Sequence, residues 1–269
     1  MTAVRTQEFN CPSCGKQGKA TVYGSVNVSM YPAHKAMLWS GEFLSWTCEY
    51  CRHTAQLTYP ILYHDMSTKV MIQLFPYPER FTVGEMEREL GSFPGTSTGL
   101  MKDYRFRIVS SFHDLIEKAT IFSCGLDDRP VELFKKELVE ASVAGQDPEA
   151  IRALSDPADQ PRLLRVNGEG PDRTMEFAYP ALRKLPGGEV FAIAAPRLQT
   201  PIAEYEKAVE ALKAMPMPTP IFGPFLLIDR DHLSDGVSQD VNASAPPFAG
   251  PSSGPQAAGR SKRRPWWKF

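Results

Sequence analysis

The chain has 269 residues, enough for one large domain or two small ones, and its 42% hydrophobic and 23% charged residues are ordinary for a globular protein. No run approaches the roughly 18 apolar residues of a membrane span, and the start MTAVRTQEFNC lacks the apolar core of a secretion signal. A cytoplasmic setting is the expectation, and in a reducing compartment paired cysteines bind metal or do redox chemistry more often than they form disulfides. The net charge is −1 but uneven: residues 235–269 carry five basic side chains against Asp235 and Asp240, which leaves residues 1–234 mildly acidic.

In chain order, the first motif is FNCPSCGKQG (9–18), a CxxC turn with Gly15 where the backbone needs φ > 0. KATVYGSVNVS (19–29) alternates as a strand with Gly24 as a bulge, YPAHKAMLWSG (31–41) predicts a short helix started by Pro32, and EFLSWTC (42–48) returns as a strand. A second turn, Cys48-Glu49-Tyr50-Cys51, follows 33 residues after the first. HTAQLTYPILYH and KVMIQLFP are β-rich runs around a turn at Asp65–Ser67.

Two CxxC turns offer four thiolates to one tetrahedral ion, so Cys11, Cys14, Cys48 and Cys51 are the expected ligands of one structural zinc, in a β-ribbon. A thioredoxin-like redox pair would need no second CxxC, and chance would leave Cys48 and Cys51 unexplained. His34, His53 and His64 are assigned to surface or packing roles.

The stretches CPSC, GSVNVS, SGEF, CEYC, YPILYHD and KVMIQLFP, followed by RIVSSFHDLIEKATIFSCGLDDRPVELFKKEL (107–138), resemble the CpXC family of bacteria and archaea, over roughly residues 6–140. The second turn departs from the family's Cys-Pro-x-Cys; proline there would stiffen the turn without supplying a ligand. The resemblance implies a metal-holding region and brings no reaction with it.

Residues 76–106 are rich in Pro, Gly, Ser and Thr and read as a mobile connection with a short helix near 84–90. A helical segment (107–156) follows. Ser111 with Asp114 starts helix 112–123, which Gly125 closes. Asp127 or Asp128 caps a second helix with Pro130 in its first turn and Val131, Phe134, Leu138 and Val139 on its apolar face. Gly145 ends that helix, and a third is expected at 147–155. Over 160–232, RLLRVNGEG, RTMEFAYPAL and EVFAIAAP read as strands. A helix at 201–214, with Tyr205, Ala208, Val209 and Leu212 on one face, and a last strand at 221–229 complete a small α+β layer packed on what precedes. The fold class is thus α+β: a zinc β-ribbon (6–75), a helical segment, the α+β layer, and 235–269 as a disordered linker and tail.

Candidates for chemistry reduce to bland roles. Cys124 has no identifiable base and reads as a small buried hydrophobe. Asp127–Asp128 and His113-Asp114 read as helix starts, and His64-Asp65 as a turn. No glycine-rich nucleotide loop, HExxH or GxSxG is present. Residues 1–60 with a four-thiolate zinc balance to zero charge, so the ribbon has no surplus for phosphates. The end Arg260–Phe269, RSKRRPWWKF, does have one, and it suits an anionic protein, nucleic acid or membrane surface. The leading expectation is a non-catalytic zinc-ribbon protein that recruits a protein partner. The alternatives are a nucleic-acid-associated factor and a metalloenzyme.

Overall fold

The structure is a computed structural model that describes residues 3–76, 101, 103–143, 160–178, 182–184, 190–192, 197–220, 225–229 and 232–234. The helices expected at 84–90 and 147–155, Gly145, and the tail 235–269 lie outside these residues.

A mixed five-stranded sheet is built from β1 (Ala3–Asn10), β2 (Gln17–Asn27), β5 (Ile61–Asp65), β6 (Val70–Leu74) and β7 (Arg105–Val109), in that spatial order. β1–β2 and β5–β6 are antiparallel hairpins, while β2–β5 and β6–β7 pair parallel. Gly24 is skipped where Ala3 faces Ser25 and Val4 faces Tyr23, which is the expected bulge. Between β2 and β5 lie α1 (Pro32–Trp39), a 3-10 turn (Glu42–Leu44), and the hairpin of β3 (Ser45–Thr47) and β4 (Thr54–Gln56). Gly41, at φ 74°, makes the left-handed step between α1 and the 3-10 turn.

β6 is buried along its whole length because both faces of the sheet are covered, so it reads as a continuous apolar run rather than an alternation. Val70, Ile72 and Leu74 face α2 (Phe112–Ser123) through Leu115, Ala119 and Phe122. Met71 faces the opposite side, with Phe75, Phe106, Ile108, Phe225 and Leu227.

Behind α2 lies a second layer. α3 (Asp128–Val143), β8 (Arg162–Asn167), β9 (Thr174–Ala178), β12 (Arg197–Pro201) and α4 (Ile202–Leu212) share a core of Ile121, Leu126, Val131, Leu163, Met175, Phe177 and Ile202. The spatial order of that sheet is β12-β9-β8, and β10 (Leu182–Lys184) with β11 (Val190–Ala192) forms a separate hairpin. The expected α+β layer therefore packs on the helices, which lie between two sheets.

Several expectations need correction. β1 was not foreseen, because seven of its eight positions are not buried and no apolar alternation marks an exposed edge strand. β7 crosses the boundary that the sequence drew at 106/107 between a connection and a helical segment. β12 precedes α4 where no strand was expected. Residues 42–44 turn as 3-10 rather than extend. The last strand shrinks, among the described residues, to a bridge of Leu226 with Arg107. It lies on the edge of the large sheet, where the Ile108 amide donates to the Leu226 carbonyl at 3.0 Å.

Candidate metal centre

The β1–β2 turn carries Cys11 and Cys14, and the β3–β4 turn carries Cys48 and Cys51. The two turns have the same wiring. In the first, the Gly15 amide donates to the Cys11 carbonyl and the Cys11 amide to that of Lys16, both at 2.9 Å. In the second, Arg52 donates to Cys48 at 3.0 Å and Cys48 to His53 at 2.9 Å. The residue after each second cysteine is left-handed: Gly15 at φ 70° and Arg52 at φ 61°. Glycine adopts this freely, whereas arginine is strained there by about 1 kcal/mol.

All four Sγ atoms lie within 4.8 Å of one another. Cys11 and Cys51 approach to 3.6 Å and Cys14 and Cys48 to 3.8 Å, far beyond a disulfide bond and close to the edge of about 3.8 Å that a tetrahedron with about 2.3 Å metal–sulfur bonds requires. Cys11 and Cys48 are buried, and Cys14 and Cys51 close the outer side. Residues 9–135 match the family model described as CpXC protein. No curated protein and no solved structure matches the chain.

The donor set of the CpXC region fits a metal ion chemically as well as geometrically. Burial opposes ionisation of Cys11, but the Cys14 and Ser13 amides and the neighbouring thiols of Cys51 and Cys14 bring it down to about 6. For Cys14 the Lys16 amide favours the thiolate, yet desolvation and the crowding of Cys51, Cys11 and Cys48 push it up to about 11. One thiolate forms easily and a second beside it is resisted, so four together require a cation at the centre.

Aromatic packing holds the two turns in register. The Trp46 indole N–H donates to the Lys19 carbonyl at 3.0 Å, and its ring lies directly over Gly18. Neither residue was singled out from sequence.

No histidine joins the four sulfurs. His34 sits among Tyr23, Tyr31 and Phe43, His53 is exposed, and His64 lies between Asn27 and Tyr104. Cys124 is half-buried beside the second core and away from the cluster. Asp65 fills its expected turn role: its carboxylate accepts from the Ser67 amide at 2.9 Å and from the Ser29 hydroxyl at 3.0 Å. These bonds outweigh its burial and hold it below the usual carboxylate range.

A second polar centre lies between β7, α2, α3 and β8. Arg107, Asp128, Lys118, Glu132, Lys135, Glu117, Arg162 and Asp114 form a chain of alternating sign. From Arg107 to Glu117 every member is buried. The Leu163 amide adds a bond to Glu117 at 2.8 Å. The cap role for this acidic pair is right for Asp127, whose side chain accepts from the Arg129 amide at 3.1 Å. Asp128, the first residue of α3, is instead fully buried against Arg107 and Lys118. Sequence did hold a signal: Asp128, Glu132 and Lys135 recur at helical spacing alongside Val131, which places charges on a core-facing stripe.

Proposed function

We propose that the four cysteines hold one zinc ion in a closed structural site, and that the chain is a non-catalytic binding protein that recruits a macromolecular partner in the cytoplasm. The observation that carries this reading is the near-tetrahedral spacing of four sulfurs at the tips of two like-wired hairpins. Four thiolates complete the usual coordination of zinc and leave no position for a water or substrate, which argues against a metalloenzyme. Recruitment is assigned to Arg260–Phe269, where five cations and three aromatic rings suit an acidic protein surface.

Cobalt substitution tests the site. The expected spectrum is that of a tetrahedral four-thiolate centre, unchanged by added cyanide or azide. A spectrum that shifts with those anions would reveal an open position and overturn the closed-site reading. Recruitment is tested by binding an acidic peptide, duplex DNA and anionic vesicles to the full chain and to a chain lacking 260–269. Loss of acidic-peptide binding on truncation, with little change in melting temperature, is expected. Equal binding by both chains would end the recruitment reading.

A further inference from the structure

A cleft of about 410 Å³ opens beside the second cysteine turn, with Glu8, Gln17, Lys19, Trp46, Glu49 and Tyr50 in its lining. Its floor is fixed, since Trp46 is buried and tied to the Lys19 carbonyl. Its rim is open: Tyr50 is 55% exposed. Lys16 Nζ already lies 4.6 Å from the centre of the Tyr50 ring, so this ring is placed to receive cations. Among the described residues neither Glu8 nor Glu49 has an ion-pair partner, although Glu8 accepts from the Gln17 amide group at 3.0 Å. Lys19 stands opposite Glu8 in the strand register without closing a bridge to it.

Glu8 and Glu49 with the Trp46 and Tyr50 rings in one cleft offer partners to a ligand with cationic and aromatic side chains. The chain itself contains a segment of matching chemistry: Arg260–Phe269 has five cations, three aromatic rings and no acidic side chain. We propose that the cleft beside the second cysteine turn binds Arg260–Phe269 of the same chain. This rests on the reading of those residues as a docking element and adds its regulation. The cleft and an acidic partner compete for the same ten residues, and only the released segment recruits.

The test uses the full chain as purified. Zero-length carbodiimide coupling joins lysine amines to carboxylates in contact, and mass spectrometry identifies the linked peptides. Lys262 or Lys268 should couple to Glu8 or Glu49 within one chain, several-fold less in about 0.5 M salt, where charges are screened within a few ångströms. Independently, Glu8→Gln with Glu49→Gln should speed tryptic cleavage after Lys262 and Arg263 several-fold, and added RSKRRPWWKF peptide should lower the coupling of Lys262 and Lys268 to Glu8 and Glu49 in the unaltered chain. Couplings spread over exposed carboxylates such as Glu137 and Glu206, couplings only between chains, or an unchanged cleavage rate would each overturn the proposal. Binding of acidic peptide by Arg260–Phe269 is read separately, so the recruitment reading stands or falls on its own measurement.

Discussion

Two centres of buried polar groups, the cysteine turns and the charge network, solve the electrostatic problem differently. The cysteine turns bring four groups of the same kind together, so their ionisation must be compensated by something bound from outside. The chain of charges between α2 and α3 carries four cations and four anions, and it is balanced by the polypeptide itself. The first centre should therefore answer to solution conditions such as metal and protons, and the second to sequence changes. The packing differs less: Cys11 and Cys48 belong to the apolar core that also covers one side of the charge network.

The largest effect should come from the cysteines. Structural zinc sites in small peptides are worth about 10–16 kcal/mol at neutral pH, and most of that is folding energy. Cys48→Ser or Cys51→Ser should therefore abolish stoichiometric metal and expose the amides of residues 9–56 to hydrogen exchange. Cys124→Ser should change neither measurement. Equal metal loss in Cys124→Ser would refute the ligand assignment.

Next comes the charge network. Asp128→Asn leaves Arg107 and Lys118 short of an anion in a buried site, a loss of about 3–5 kcal/mol. The denaturation midpoint should fall while metal content stays constant. A small loss would mean that water or rearrangement satisfies the two cations, and the comparison between centres would weaken.

Acid should separate the two centres in time. Metal-bound thiolates take up protons first, so lowering the pH from 7 should release metal before the core unfolds. Asp128 is desolvated, but Lys118 and Arg107 hold it well below the usual carboxylate range. A depressed carboxylate contributes stability above its unfolded pKa, near 4, and loses it only as the pH falls toward the folded value. Glu176 behaves alike, held at about 2 by Arg165 and Arg197. Metal content and near-ultraviolet dichroism followed through one titration should thus give two transitions, metal first. Coincident transitions would mean that the hairpins and the core unfold as a unit.

The smallest effect compares the two turns directly. Gly15→Ala places a side chain in left-handed backbone and should cost about 1 kcal/mol, whereas Arg52→Gly relieves strain and should stabilise by up to about that amount. Chelator competition reads both as opposite shifts in metal affinity. Shifts of the same sign would show that the two turns are not equivalent.

What sequence reveals follows the range of the interactions. A CxxC turn is a local arrangement with an unusual residue type, so all four cysteines, the Gly24 bulge, the Asp65 turn and the Ser111 cap were legible. The charge network was legible only in the α3 stripe of Asp128, Glu132 and Lys135, because its other members extend from Arg107 to Arg162 and a charged helix residue ordinarily faces water. β1 escaped because an exposed edge strand carries little apolar signal, and β12 for a similar reason, since only Thr200 in it is buried. β7 was recoverable: Arg105-Phe106-Arg107-Ile108 alternates plainly, but its arginines suggested solvent where one of them is buried.

Gly18 gives the ribbon a fulcrum. A β-carbon there would stand 2.6 Å from the Trp46 ring, well inside contact distance, and the ring cannot swing away because its N–H is tied to Lys19. The strain would pass along β2 and β3 into the two turns that carry the cysteines. A single methyl group at Gly18 should thus act as a wedge, spreading the sulfurs and detuning the centre without touching a ligand. The tolerance of the metal site is set as much at this hinge pin as at the four cysteines.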